Sequence, residues 1–260
     1  MRKVLTIAGS DSCGGAGIQA DLKTFAALGT YGMSVITAVT AQNTQGVFAV
    51  QEIAPEMVAK QISCLYEDIV IDAVKIGMVS NREIIKTIAR KLKEYQAQNI
   101  VVDPVMISKS GYDLLHPEAK QELIQTLLPV ADVVTPNLYE AQEILGKEIT
   151  TVEEMERAAR DIAALGPKNV LVKGGHLRGN AVDVLYDGES FIHYDQERIA
   201  TTNTHGTGCT YSSAIAACLA RGLSLKEAVQ GAKEYITGAI INSFSIGKGV
   251  GPTHHFYKYY

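Results

Sequence analysis

Val4-Leu5-Thr6-Ile7-Ala8-Gly9-Ser10-Asp11-Ser12-Cys13-Gly14-Gly15-Ala16-Gly17-Ile18-Gln19-Ala20-Asp21 runs from a short apolar stretch through a glycine-rich turn into a segment of helical period. Val4–Ala8 is too short for a buried helix and rich in β-branched residues, so it predicts a buried strand. Strand, glycine loop and helix in that order open a parallel α/β sheet. Within the loop, Gly15-Ala16-Gly17-Ile18-Gln19-Ala20 also fits the G-x-G-x-x-A pattern of a dinucleotide turn. Two features argue against that use. The loop from Gly9 to Gly17 is too long for the tight turn, and the next strand ends in Ala41-Gln42-Asn43-Thr44, with no acid to hold a ribose. Asp21 falls one turn inside the helix. It either grips a substrate hydroxyl or amine at the sheet's carboxyl edge or complements the helix dipole.

Working outward, strands are expected at Val4–Ala8, Ser34–Thr40, Val47–Ile53, Ala73–Ile76, Ile100–Val102, Val133–Val134 and Val170–Val172. Helices are expected at Ile18–Leu28, Glu56–Asp68, Arg82–Tyr95 and Glu118–Leu127, with Gly29 as a left-handed cap after the first. Ser34–Thr40 and Val47–Ile53 are joined by a short Asn/Gly link and read as a hairpin placed to cover a site. Val182–Tyr186 and Phe191–Tyr194 form a second hairpin around Asp187-Gly188. Thr207 to Ser243 reads as helical, broken near Gly222. No repeat, linker or low-complexity tract divides the chain, so residues 1–260 are one domain.

Composition narrows the function. The net charge is −4 with no basic run, which argues against nucleic acid as the main partner. Cys13, Cys64, Cys209 and Cys218 form no C-x-x-C pair and have no His cluster beside them, which speaks against zinc. No apolar stretch approaches a membrane span, and the opening Met1-Arg2-Lys3 run is too short for a signal peptide. A soluble protein of a reducing compartment, the cytoplasm, is expected.

The sharpest signal is Thr204-His205-Gly206-Thr207-Gly208-Cys209-Thr210, which opens a helix of small residues. Glycines let the backbone approach a ligand, and the N–H groups of a first helical turn point at it, which suits the charge on a transferring phosphoryl group. Cys209 sits where the dipole lowers a thiol pKa. It either takes or positions the proton of an attacking alcohol, or it is a small packing residue beside a glycine cap. No G-x-x-x-x-G-K-[ST] motif is present. Instead Asp103, Asn137 with Glu140, and Lys173 follow successive predicted strands, so all would converge on one sheet edge. Carboxylate and amide oxygens suit Mg²⁺, and a lysine suits phosphate.

Taken in order, Ala8-Gly9-Ser10-Asp11-Ser12, Gly14–Asp21, Thr40-Ala41-Gln42-Asn43-Thr44, Lys75-Ile76-Gly77-Met78, Asp103-Pro104-Val105-Met106, Thr135–Ala141 and Thr207-Gly208-Cys209-Thr210 resemble one family. It is that of the bacterial hydroxymethylpyrimidine/phosphomethylpyrimidine kinases of thiamine synthesis, in the ribokinase-like superfamily. The resemblance implies an α/β doubly wound, mostly parallel sheet in an α/β/α sandwich with a small hairpin or flap lid. It implies ATP and Mg²⁺, a homodimer, and two successive phosphorylations of a small pyrimidine. By position, it places Cys209 at the chemistry, with Gly206, Thr207 and Gly208 as the anion hole. Gln42 would bond the pyrimidine, with Gly9, Asp21, Met78 and Val105 around it. Asp103 and Glu140 would hold metal, while Lys173, Asn137, Glu140 and Lys233 would face the nucleotide. The rival within the fold is pyridoxal kinase, whose dual-cysteine kind carries a second Cys in the flap. Ser108 stands there in Met106-Ile107-Ser108-Lys109-Ser110-Gly111, which favours the pyrimidine.

Overall fold

The first strand, β1 (Lys3–Asp11), is buried along nearly its whole length. Its neighbours show why its sequence lacks polar alternation. In this computed structural model, which describes residues 1–108, 111–175, 177 and 179–260, helices cover both faces of the sheet. The elements continue as α1 (Gly17–Ala27), β2 (Tyr31–Asn43), β3 (Gly46–Glu52), α2 (Pro55–Tyr66), β4 (Ala73–Ile76), α3 (Arg82–Glu94) and β5 (Ile100–Val102). After these come α4 (Pro117–Glu122), β6 (Val133–Val134), α5 (Leu138–Leu145), α6 (Val152–Ala163) and β7 (Asn169–Val172). The last are β8 (Asp183–Tyr186), β9 (Phe191–Tyr194), α7 (Thr207–Ala220) and α8 (Leu225–Ile241). The sheet order is β3-β2-β1-β4-β5-β6-β7-β8-β9. From β2 to β7 it is parallel, and the antiparallel strands β3, β8 and β9 lie at its two margins.

Successive strand residues face opposite layers, as the pleat requires. Leu5, Val74, Val102, Val134 and Val172 pack into the core under α2, α3, α4, α5 and α6. Their chain neighbours Val4, Ala73, Val101, Val133 and Leu171 pack into the core under α1, α7 and α8. This is the expected doubly wound α/β sandwich. Three differences bear on function. β1 continues past Ala8 to Asp11, delivering that carboxylate to the sheet's edge. The hairpin strand β2 is longer than read, and a bulge between Ala41 and Gln42 turns its tip. The segment read as one helix from Glu118 to Leu127 is α4 followed by a single π-helical turn, Leu123–Leu127. The chain breaks between α7 and α8 at Gly222, as expected. Among the described residues no helix is long and apolar enough to cross a membrane.

Candidate active site

Because β1, β4, β5, β6 and β7 run the same way, their carboxyl ends share one edge, where a cavity of about 660 Å³ opens. Gly9, Gln42, Met78, Val105, Asn137, Glu140, Lys173 and Lys233 all line it. Gly206, Thr207, Gly208 and Cys209, at the start of α7, also line the wall. Gly206 caps that helix in the left-handed region, at φ 78°. A side chain there is excluded twice, because a Cβ would also collide with the Gly15 carbonyl oxygen. The nest therefore presses against the glycine loop of β1–α1. Lys173 Nζ stands over it, paired with Asp103 at 2.7 Å, and both groups approach Gly208.

Burial opposes charge on Asp103, but Lys173 and Lys75 outweigh it and hold the carboxyl below its usual range. Thr135 also donates to Asp103 at 3.1 Å. Burial likewise opposes the Lys173 ammonium, and Asp103 with Glu140 overcomes it. Glu140 is different. Burial, aided by repulsion from Asp103, pushes its carboxyl up to about 8 despite Lys173. It closes a capping box with Asn137, accepting from the Asn137 N–H at 2.8 Å while Asn137 Oδ1 accepts from the Glu140 N–H at 2.9 Å. A carboxyl kept protonated by burial responds strongly to added positive charge, which would favour its ionised form. Among the described residues no group of three or more His, Cys, Asp or Glu could enclose a metal alone. The carboxylate and amide oxygens of Asp103, Asn137 and Glu140 are of the chemistry that suits Mg²⁺ together with phosphate oxygens.

Two expected roles are corrected by the geometry. Asp21 is not on the pocket wall. It is fully buried beneath it, ion-paired to Lys75 at 3.0 Å and accepting from Thr6 and Ser213 at 2.6 Å each. Both carboxylate oxygens are thus engaged below the cavity, which Asp21 does not line. Cys209 does face the cavity, but its thiol is not acidic. Burial pushes it up to about 11, with Asp21 and Asp103 adding to this against Lys75 and the Gly17 N–H. The helix dipole loses to desolvation. Lys233 reaches the wall already neutralised by Asp183 at 2.6 Å. Lys109 and Ser110 of the expected flap lie outside the described residues.

Sequence reasoning passed over Asp11 and His205. Asp11 accepts from the N–H groups of Cys13, Gly15 and Ala16, tying down the glycine loop, and pairs with His205 at 2.9 Å. The signal for Asp11 was its place two residues beyond Gly9. For His205 it was its place just before the nest.

A doubly wound sheet with a glycine nest, a Lys–Asp pair and a facing pocket at its carboxyl edge defines a small-molecule kinase of ribokinase-like fold. The family model for phosphomethylpyrimidine kinase matches residues 11–254, and the chain belongs to that family. The hydroxymethylpyrimidine/phosphomethylpyrimidine kinase of Rhizobium meliloti is 54% identical over 260 residues, 98% of this chain and 97% of that one. The thiamine biosynthesis bifunctional protein of Geobacter sulfurreducens is 51% identical over 253 residues, 97% of this chain. The match spans 52% of that longer relative's length. A solved structure, the ADP complex of Bacillus subtilis pyridoxal kinase, superposes with TM-score 0.91 at 45% identity. That comparison covers 98% of this chain and 97% of the other.

Proposed function

We propose that this kinase transfers the terminal phosphoryl group of ATP to the hydroxymethyl oxygen of 4-amino-5-hydroxymethyl-2-methylpyrimidine. It then phosphorylates the resulting monophosphate, giving the pyrimidine diphosphate used for thiamine. The observation that carries this reading is that one cavity is lined both by the Gln42 amide and by a glycine nest flanked by Lys173 and Asp103. Gln42 offers the ring a donor and an acceptor, and Gly9, Met78 and Val105 close around it. While the Thr207 N–H is already engaged by the Thr204 carbonyl at 3.3 Å, the N–H groups of Gly206 and Gly208 would meet the charge that builds on the transferring group. Lys173, kept charged by Asp103, adds to that. Asp103, Asn137 and Glu140 would hold Mg²⁺, with Lys233 nearer the nucleotide. The ion would supply positive charge to offset that of the phosphate oxygens. Cys209 is protonated at neutral pH, so it positions the alcohol rather than deprotonating it. A loose transition state needs no strong base, because the alcohol's proton leaves late.

The vitamin B6 reading rests on the Bacillus subtilis match. Ser108 in place of a flap cysteine weighs against it. A panel with ATP and Mg²⁺ separates the two: hydroxymethylpyrimidine, its monophosphate, pyridoxal, pyridoxine and ribose. Hydroxymethylpyrimidine should lead in kcat/KM. A tenfold advantage for pyridoxal, about 1.4 kcal/mol of transition-state preference, would overturn the assignment. We extend the proposal to a homodimer in the cytoplasm. The sheet's open margin at β3 and the adjoining β2 carries exposed Phe48 and Val39, and the four cysteines are all free.

A further inference from the structure

Gln42 reads the ring in the proposed function, and the role assigned to its neighbours rests on that reading. A side-chain amide presents a donor at one corner and an acceptor at the other, and a half-turn exchanges them. The groups around it decide which way it stands. His205 is buried, with Nε2 2.9 Å from Asp11 Oδ2. The charged Asp11 carboxylate only accepts, and the N–H groups of Cys13, Gly15 and Ala16 fix it in place. His205 Nε2 therefore carries a proton. On the other side, the single hydroxyl proton of Thr40 goes to the Ser10 carbonyl at 3.0 Å, leaving Thr40 Oγ1 an acceptor. Gln42 Nε2 lies 3.4 Å from His205 Nε2, and Gln42 Oε1 lies 3.3 Å from Thr40 Oγ1. Set that way, two N–H groups oppose each other, and two oxygens face each other with no proton between them. A half-turn of the amide barely moves a heavy atom: Gln42 Nε2 then donates to Thr40 Oγ1, and Oε1 in place of an N–H faces the His205 N–H, whose one proton stays chiefly with Asp11.

We propose that Asp11, His205 and Thr40 are positioning residues that hold Gln42 with Oε1 toward His205 and Nε2 toward Thr40. The amide then accepts only a ring with its nitrogen acceptor on the Thr40 side and its exocyclic amine on the His205 side. That is an aminopyrimidine. A lactam of the same outline, with a carbonyl in place of the amine, presents the reverse pattern and is refused. Sites built to bond a polar group reject the mismatched analogue far more strongly than they reject a missing methylene.

The test compares kcat/KM for the 4-amino and 4-oxo forms of 5-hydroxymethyl-2-methylpyrimidine. Wild type should favour the amino form by about 10²-fold or more. His205→Ala frees the amide to turn, so the ratio should fall at least tenfold, chiefly through the pyrimidine KM, with the ATP KM within twofold. His205→Ala combined with Gln42→Ala should discriminate no worse than Gln42→Ala alone. An unchanged ratio, losses that multiply, or an ATP KM that rises in step with the pyrimidine KM would overturn the proposal. The last result would leave His205 as a support for the nest. Should His205→Ala not fold, Thr40→Val puts the same question from the other end of the amide. Long-range ¹H–¹⁵N spectra of the ligand-free protein give a readout without substrate, and should show His205 protonated at Nε2. An unprotonated Nε2 sinks this proposal even in an enzyme that phosphorylates aminopyrimidines. A wild type that turns over neither pyrimidine sinks the functional reading, and this proposal with it.

Discussion

Cys209 shows how far one residue's chemistry can be read before its surroundings are known. A cysteine in the first turn of a helix, beside glycines, suggests a thiolate. The fold buries it next to Asp21 and Asp103, and its pKa rises to about 11. Alkylation followed by mass spectrometry on the Cys209 peptide should therefore speed up with pH to at least pH 10. A plateau below pH 8 would restore the thiolate. Cys209→Ala should lower kcat by no more than roughly 10²-fold, the scale of a misplaced reactant, with pyrimidine KM nearly unchanged. Glu140 makes a prediction about stability. Its folded pKa of about 8 lies above the ordinary 4.5, so the folded protein keeps a proton that the unfolded chain releases between those values. Its contribution is complete below pH 4.5 and is lost as pH rises toward 8. Glu140→Gln, measured without metal or nucleotide, should raise Tm over wild type little at pH 5 and most above pH 8. An equal gain at every pH would show that the carboxyl is not protonated in the folded state.

At the scale of elements, what was legible followed from the parallel sheet. Asp103, Asn137, Glu140 and Lys173 each follow a strand by a residue or a turn, so reading the strands placed all four at one edge. α6 was missed although Thr151 and Glu154 make a capping box in plain sequence. Asp21 was misplaced for a different reason: its partner Lys75 is 54 residues away, and neither residue reveals the pairing by itself. In the fold, Asp21 joins α1 to β1 through Thr6, to β4 through Lys75 and to α7 through Ser213. Asp21→Ala leaves the Lys75 charge buried and unpaired, and should cost about 3–5 kcal/mol by denaturant unfolding. Asp21→Ala with Lys75→Met should recover much of that loss. Where the single variant folds in the cold, its pyrimidine KM should stay within a few-fold of wild type. A selective loss of pyrimidine binding would return Asp21 to the pocket wall.

At the scale of the molecule, the sheet closes one margin better than the other. Along β3 Phe48 is 67% exposed, and Val39 on the adjoining β2 is 47% exposed, an apolar surface suited to a second copy. Phe48→Glu should convert a dimer to a monomer by light scattering while leaving the unfolding midpoint of the monomer nearly unmoved. A wild type that is already monomeric at micromolar concentration would end the dimer proposal. The pairing of Asp11 with His205 belongs to this scale too, since 194 residues separate them and only the closed fold brings them together. The contact of the two glycine loops, Gly15 against Gly206, has a practical result. The phosphate nest cannot be edited at Gly206 without forcing the first loop aside, whereas Gln42 is carried on a hairpin tip whose backbone is anchored separately, to Ser12 and to Val250. Anyone retargeting this catalyst to another heterocycle has a replaceable reading head on a fixed transfer engine, and should randomise the hairpin and leave the glycines alone.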